Sequence, residues 1–249
     1  MLKQTDVIVG MGEIGSAFYE VLQKSGVSIY GKDAYVNKCK GKEPLKANVL
    51  HICIPYCEKF LDIVNEYIVR FKPEEVIIHS SVEPETTARI AKIWCSSNIA
   101  FVYSPFRGVH TRMIEDMKRY VKYYAFFTKE SSLFVAEMLK AKIMVQAWND
   151  TPTSLELAKL WMDVVYYGWL IIFAQHTKVL ADRYGVDEKK LWDFTDEIHK
   201  YLGNRPRMFS GNGIGGHCVM QDKDLLNDPF LDAVFSHDQY FRRNIKNGR

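Results

Sequence analysis

The stretch "VIVGMGEIGSAF", Val7 to Phe18, decides how the first half of this chain is read. A short apolar run ends on Gly10, and Gly12 and Gly15 follow as a helical pattern begins. Gly-x-Gly-x-x-Gly between a strand and a helix is the spacing of a dinucleotide cradle. The first glycine makes the tight turn, the second lets a pyrophosphate approach bare backbone, and the third lets helix and strand pack closely. The helix opening at Glu13 and Ile14 offers N–H groups and the positive end of its dipole to the phosphates. The spacing gains weight from Asp33, at the end of the next strand-like run "VSIYGKD". A carboxylate there suits the two ribose hydroxyls of NAD and repels the extra phosphate of NADP, while the adjacent Lys32 pulls the other way.

Working outward, "TDVIVG", "VSIYG", "NVLHICIP", "EVIIHSS", "IAFVYSP" and "YYAFFT" are β-branched or aromatic runs between turn signals. Helical stretches such as "EIGSAFYEVLQKSG" and "EKFLDIVNEYIVRF" separate them, and "SSLFVAEMLKAKIMVQA" extends the pattern to Ala147. Continuous apolar strands alternating with helices imply a parallel sheet covered on both faces. The rhythm changes at "NDTPTS", Asn149 to Ser154. From Leu155 a helical pattern runs without proline to Gly185, a C-cap, and "VDEKKLWDFTDEIHKYLG" closes a second helix on Gly203. The expected fold is a doubly wound, parallel, Rossmann-type α/β domain over 1–148. A helical domain with one long helix follows over 149–249.

Composition narrows the function classes. With 249 residues, 47% hydrophobic and 25% charged, the chain is an ordinary globular protein that can bury a core without staples. A net charge of +3 argues for no nucleic-acid partner, and the basic end "FRRNIKNGR" has the character of a frayed terminus. The five cysteines are irregularly spaced and form no Cys-x-x-Cys pair, so neither a metal site nor a disulfide framework is expected. A reducing, cytoplasmic setting fits. Asp6 within the first apolar run argues against a signal peptide. The run "VVYYGWLIIFA", Val164 to Ala174, is too short to span a bilayer and is expected to be a buried helix, with no membrane partner.

A second glycine-rich stretch, "FSGNGIGGHCVMQDKDLL" from Phe209 to Leu226, places Gly215 and Gly216 just before Cys218, with Asp222 following. Backbone this permissive lets a ligand come close to the only cysteine set in a glycine-rich turn. On the long helix Glu156, Lys159 and Asp163 recur at spacings of three and four, which puts them on one face. That face is either an exposed ion-paired surface or a site in which a buried lysine needs a partner. A lysine near Cys218 would favour its thiolate.

Six segments together resemble the UDP-glucose/GDP-mannose dehydrogenase family, most of all its UDP-N-acetylmannosamine dehydrogenase branch. They are "VGMGEIG" (Val9 to Gly15), "HICIP" (His51 to Pro55), "SSVEPETT" (Ser80 to Thr87), "SPFR" (Ser104 to Arg107), "ELAKLWMD" (Glu156 to Asp163) and "NRPRMFSGNGIGGHCVMQD" (Asn204 to Asp222). They come in the family's order and cover nearly the whole chain. The resemblance implies oxidation of a sugar's primary alcohol to a carboxylate in two hydride transfers to NAD⁺. It makes Cys218 the nucleophile that traps the aldehyde as a thiohemiacetal, later a thioester that water hydrolyses. It assigns Lys159 to the oxyanion or the alcohol proton, Asp222 to tuning that pair, and Ser81 to the place of a water-orienting threonine. Gly215 and Gly216 would let the substrate meet the cysteine.

Departures from the family pattern are equally legible. Asp163 stands where the family has an asparagine, Phe106 where it has a glutamate, and Met220 where a proline is usual. The family's further α/β domain, which grips the nucleotide, has no counterpart after Asp222, so nucleotide affinity would come from elsewhere or the substrate is smaller. Arg107, His110 and Arg112 in "FRGVHTR" form either an anion grip for substrate or a solvated basic loop. Two other functions stay open. A β-hydroxyacid dehydrogenase would share sheet, helix and lysine but transfer one hydride and need no cysteine. A non-catalytic NAD-binding protein would fit the missing domain, Asp163 and Phe106. The aromatic residues Trp161, Tyr166, Trp169 and Phe173 on the long helix, like the family, imply a homodimer.

Overall fold

The computed structural model describes residues 5–108, 110–127, 132–203, 214, 217–222 and 224–246. The apolar runs become strands β1 (Thr5–Val9), β2 (Ile29–Lys32), β3 (Ala47–Ile52), β4 (Glu75–Ile78), β5 (Ala100–Tyr103), β6 (Lys122–Phe126) and β7 (Val145–Ala147). Between them lie helices α1 (Glu13–Lys24), α2 (Phe60–Phe71), α3 (Thr86–Ile93), α4 (Met113–Arg119) and α5 (Ser132–Lys140). The strands form one sheet in the order β2-β1-β3-β4-β5-β6-β7. β1 to β5 pair in parallel, and every residue of β4 and β5 is buried, which is why these runs read as unbroken apolar sequence. β6 is the exception to the expected parallel sheet, because it runs antiparallel to β5. A 3-10 turn (His110–Arg112) and the short α4 lie between them, and the chain re-enters the sheet from the end at which it left. β7 is again parallel to β6.

Both faces are covered. α2 packs Phe60, Val64, Ile68 and Phe71 on one, joined by Ile90 of α3 and Leu155. α1 packs Phe18 and Leu22 on the other, with Met113 and Met117 of α4 and Phe134 and Met138 of α5. Each such side chain removed from water stabilises the fold by about 1.5–3 kcal/mol. Two buried carboxylates act as helix caps. Glu75 on β4 accepts from Leu133 N at 3.1 Å and Phe134 N at 3.0 Å, in the first turn of α5. Glu156 accepts from Glu85 N (2.7 Å), Thr87 N (2.9 Å) and Thr87 Oγ1 (2.6 Å) at the start of α3. A carboxylate at a helix N-terminus satisfies N–H groups that have no intrahelical partner.

A helical run follows, from Pro152 to Tyr184, of 33 residues. Thr151 caps it by accepting from Ser154 N at 3.3 Å, with Pro152 in the first turn, and Gly185 ends it at φ 65°. It comprises α6 (Pro152–Ala158), a π-helical stretch from Lys159 to Val165, and α7 (Tyr166–Tyr184). The chain divides into two compact units at this stretch, Met1–Lys159 and Leu160–Arg249. The division falls inside the long helix, not at Asn149, because Leu155 and Glu156 tie α6 to the sheet. By length and composition the run is long and apolar enough to cross a bilayer, so its apolar part extends beyond the Val164–Ala174 core. The core helix of a soluble protein has the same property. α7 is buried at Ile171, Ile172, Ala174 and Gln175, whereas Tyr166, Tyr167, Trp169 and Phe173 are exposed, so the expectation of a buried helix holds for one side of it.

The second unit also contains α8 (Glu188–Leu202), α9 (His217–Asp222) and α10 (Pro229–Lys246). Asp187 caps α8 by accepting from Lys189 N, and Gly203 ends it at φ 66°. Val164, Ile171, Ile172, Ile214, Val219 and Val234 form the small core of this unit.

Candidate functional site

Strand order reverses at β1, between β2 and β3. In an open α/β sheet the crevice at the carboxyl ends of the strands flanking that point is where ligands bind. Gly10, Gly12 and Gly15 lie there. Gly10 has φ 96°, and a Cβ on it would sit 2.6 Å from Cys53 O at the end of β3. A Cβ on Gly15 would be 1.8 Å from Gly10 O, so α1 can approach β1 only without one. Gly12 is different. Its φ is −71°, it is exposed, and a Cβ on it would meet nothing within 4 Å. The chain's own packing therefore makes no demand for glycine at this position. A ligand seated on the backbone would make that demand. Gly12 also caps α1 without a side-chain hydrogen bond, and Glu13 is exposed and Ile14 half-buried in the first turn. These residues fit a dinucleotide pyrophosphate.

Asp33 bonds the same turn from β2. Its Oδ2 accepts from Met11 N at 2.8 Å and its Oδ1 from Tyr35 N at 3.0 Å. A carboxylate has about four acceptor positions, so two remain for ribose hydroxyls. Ser16 Oγ donates to Met11 O at 2.8 Å and fixes the turn from the other side.

Further along the strand ends sits a group of polar side chains that sequence reasoning missed. Lys122, at the start of β6, is buried, and its Nζ donates to Ser104 O (2.6 Å) and Pro105 O (3.2 Å). The ammonium lies 3.4 Å from the centre of the Phe106 ring. Phe106 is itself buried against Phe18 and His79. Burial pushes Lys122 well below the usual lysine range; Cys53 opposes the shift, and the charges of Lys159 and Arg107 add to it. Half-buried Lys159, the first residue of the π stretch, is thus electrostatically coupled to this corner of the sheet. Burial also pushes the Cys53 thiol up to about 12.

His79 Nδ1 is 2.7 Å from Ser104 O, and a carbonyl only accepts, so the proton is on Nδ1. His79 Nε2 then accepts from His51 Nδ1 at 3.0 Å. That leaves the neutral His51 with a bare Nε2, 3.2 Å from Glu137 Oε2 and poorly aligned with it. Two lone pairs would face each other unless a proton is held among His51, Glu137 and Asp6. Burial pushes His51 down to about 4, Glu137 up to about 7 and Asp6 up to about 8, so the carboxyl pair holds it. Asp6 Oδ1 meanwhile accepts from Val49 N at 3.1 Å, where the β1–β3 register shifts. The only sequence signal for this network is a histidine at the end of each of two apolar strand runs, "HICIP" and "IIHSS".

The remaining expected site residues are distributed as follows. Ser81 is half-buried after β4, next to Ser80, whose Oγ donates to Ile54 O at 2.6 Å. Glu156 is buried, Lys159 half-buried and Asp163 exposed, so the three do not share one environment. The π stretch changes the angular spacing that placed them on one face. Arg107 donates to Val121 O at 2.5 Å and stacks over Tyr120 and Tyr123. Arg112 is 3.5 Å from the buried Asp116, and His110 opens a short 3-10 turn. Both arginines thus have partners within the chain. Asp222 is half-buried at the end of α9. Cys218 lies on the backbone of α9, but its side chain, like Gly215 and Gly216, falls outside the described residues.

No protein-family model and no curated protein sequence matches the chain. Solved structures do match in fold. The UDP-D-ManNAc dehydrogenase of Pyrococcus horikoshii superposes with a TM-score of 0.78 at 18% identity, over 96% of this chain and 69% of that one. The UDP-N-acetyl-mannosamine dehydrogenase of Staphylococcus aureus gives 0.77 at 16% identity, over 97% and 69%. The 3-hydroxyisobutyrate dehydrogenase of Mycobacterium tuberculosis gives 0.71 at 14% identity, over 96% and 94%. The chain therefore shares the fold of these structures, a Rossmann-type sheet followed by a helical region.

Proposed function

We propose that this chain is an NAD-dependent oxidoreductase acting on the CH–OH group of a polar alcohol, of the nucleotide-sugar dehydrogenase type. Gly12 carries the reading: it is a glycine that the chain's own packing does not require, at the position where a pyrophosphate would rest. Gly10, Gly12, Glu13, Ile14 and Gly15 would hold the cofactor's phosphates and Asp33 its ribose, which favours NAD over NADP. Bound there, the cofactor would accept hydride. The Cys218 sulfur, as thiolate, would add to the aldehyde carbon to give a thiohemiacetal; loss of a second hydride, to a second NAD⁺, would make it the thioester, and water would cleave that to the carboxylate and restore the thiol. Lys159 Nζ would counter the oxyanion, with Asp222, Asp163 and Ser81 around it, and Gly215 and Gly216 would give substrate access. Arg107, His110 and Arg112 remain the proposed anion contacts for substrate, with rearrangement of the Val121 and Asp116 contacts required.

The protein would act as a homodimer in the reducing cytoplasm, in keeping with the free thiols of Cys39, Cys53, Cys57 and Cys95. The exposed aromatics of α7 and α8, Tyr166, Trp169, Phe194 and Tyr201 among them, would supply the contact. A second reading, a β-hydroxyacid dehydrogenase without a covalent step, is favoured by one observation. The hydroxyisobutyrate enzyme is matched over 94% of its length, against 69% for the sugar enzyme from Pyrococcus horikoshii.

Absorbance at the reduced-nicotinamide band, across panels of UDP-sugars, GDP-sugars and β-hydroxyacids, separates these readings. Turnover of a nucleotide sugar that is lost in Cys218→Ser supports the first. Turnover of a hydroxyacid indifferent to that substitution supports the second, and NAD binding without turnover of any of them contradicts both.

A further inference from the structure

Ile214, four residues before Cys218, is held by groups that belong to no sequence motif. Asp238 on α10 is 5% exposed. Its Oδ1 accepts from Gln175 Nε2 of α7 at 2.8 Å and from Ile214 N at 2.7 Å, and its Oδ2 accepts from Arg242 Nε at 2.7 Å. Arg242 also donates from its other guanidinium nitrogen to Ile214 O. Both backbone hydrogen-bonding groups of one residue are thus gripped by a single ion pair. An ion pair that served only to join helices would leave that residue to other partners. Stripping a donor from a buried carboxylate is costly, so the arrangement is held as a unit.

The apolar side agrees. Ile214 is buried with Val219, the residue after Cys218, in the core formed by Val164, Ile171, Ile172 and Val234. A Cβ on Gly168 of α7 would stand 3.1 Å from Val234 Cγ1 and 3.5 Å from Val219 Cγ1, so α9 and α10 rest close against bare backbone. Ile214 and Val219, which flank Cys218 in the sequence, are therefore each anchored in this unit.

We infer that Asp238 and Arg242 form a positioning clamp that holds the backbone of Ile214 and, through it, sets the reactivity of Cys218. The functional meaning of the clamp rests on Cys218 being the nucleophile. Neither residue touches substrate; they act through the main chain, and Gly168 lets α9 settle into the same position.

The test uses the full chain and its variants Arg242→Ala, Arg242→Lys, Asp238→Asn and Gly168→Ala. Iodoacetamide labelling of Cys218 and Cys95 is followed by mass spectrometry from about pH 6 to about pH 9, and circular dichroism confirms that each variant is folded. The clamp predicts that Arg242→Ala and Asp238→Asn slow Cys218 labelling near neutral pH by about fivefold or more and move its midpoint upward. Cys95 should be unaffected, and Arg242→Lys should recover part of the rate. Should the first two fail to fold, Gly168→Ala, the milder disturbance, must still move the Cys218 profile. A Cys218 that is activated in the wild type and equally activated in the folded variants overturns the clamp and leaves the nucleophile reading intact. An unactivated wild-type Cys218 whose rate still shifts in the variants removes the nucleophile and keeps the clamp. A Cys218 indifferent to every change removes both.

Discussion

The sheet unit and the helical unit treat their large apolar side chains in opposite ways. In the first, Phe18, Phe60, Phe71, Phe101, Tyr103 and Phe134 are all but fully buried. In the second, Tyr166, Phe194, Tyr201 and Leu202 are each more than half exposed. The same contrast holds for charge. The sheet unit uses buried carboxylates as helix caps, Glu75 for α5 and Glu156 for α3, and buries Asp6, Glu137 and His51. Among the described residues of the helical unit the buried charge is Asp238, which holds the backbone of Ile214. The sheet unit also exposes apolar side chains, Val36 and Leu45 among them, so the contrast lies in the large aromatic rings.

The contrast can be broken most forcefully at Gly15. Its Cβ would collide with Gly10 O at 1.8 Å. Gly15→Val should therefore destabilise the sheet unit by more than about 3 kcal/mol, measured by urea unfolding. An effect below about 1 kcal/mol would mean that α1 does not need its close approach to β1. Glu156→Ala comes next. It strands three donors, Glu85 N, Thr87 N and Thr87 Oγ1, and should cost about 3 kcal/mol, with Glu156→Gln recovering part by keeping one acceptor.

The pH dependence of unfolding sharpens the comparison further. Asp6 and Glu137, raised to about 8 and about 7, are more readily protonated in the folded state than in the unfolded one. Their contribution is complete below the ordinary carboxylate range and is lost as pH rises through about 7 to about 8. His51, lowered to about 4, must stay neutral, so its contribution is present above the ordinary histidine range and is lost as pH falls through about 4. Glu75, Lys122 and Lys140 are the other charged groups acting on this cluster. Two raised carboxyls outweigh one lowered histidine, so the cluster's contribution to sheet-unit stability should fall as pH rises from the ordinary carboxylate range through about 8. Glu137→Gln, whose amide can still donate to His51 Nε2, should flatten the alkaline side alone. Unchanged alkaline loss in that variant would place the proton elsewhere. The smallest expected effect on stability is in the helical unit. Phe194→Ser, at a side chain 82% exposed, should stay within about 0.5 kcal/mol in unfolding yet weaken self-association in light scattering. A monomeric wild type at micromolar concentration would leave the exposed aromatics without their proposed role.

What could be read in the sequence was what repeats locally. Strand runs bounded by turn residues, the glycine spacing after β1, and the C-caps at Gly185 and Gly203 all lie where short-range chemistry dictates them. What could not be read depends on partners distant in the chain. Glu156 belongs, by helical spacing, with Lys159 and Asp163, but α3 claims it as a cap. The π stretch has no breaker residue to announce it. Arg107 bonds Val121 O and stacks on two tyrosine rings, contacts that no local signal announces. The His51–His79 pair joins two strands that are adjacent only in the sheet. Phe106, a departure when set against the resemblance, is accounted for by the Lys122 ammonium lying on its ring.

The central claim is that Gly12 serves a ligand and not the fold, and one paired measurement tests it most directly. NAD is titrated by calorimetry into the wild-type chain and into Gly12→Ala, and the urea unfolding of both is measured without ligand. Open space around the added Cβ predicts unfolding free energies within about 1 kcal/mol of each other. The binding reading predicts NAD affinity lower in the variant by about tenfold or more, roughly 1.4 kcal/mol. Equal affinity in the two proteins, or no NAD binding by the wild type, would contradict the account.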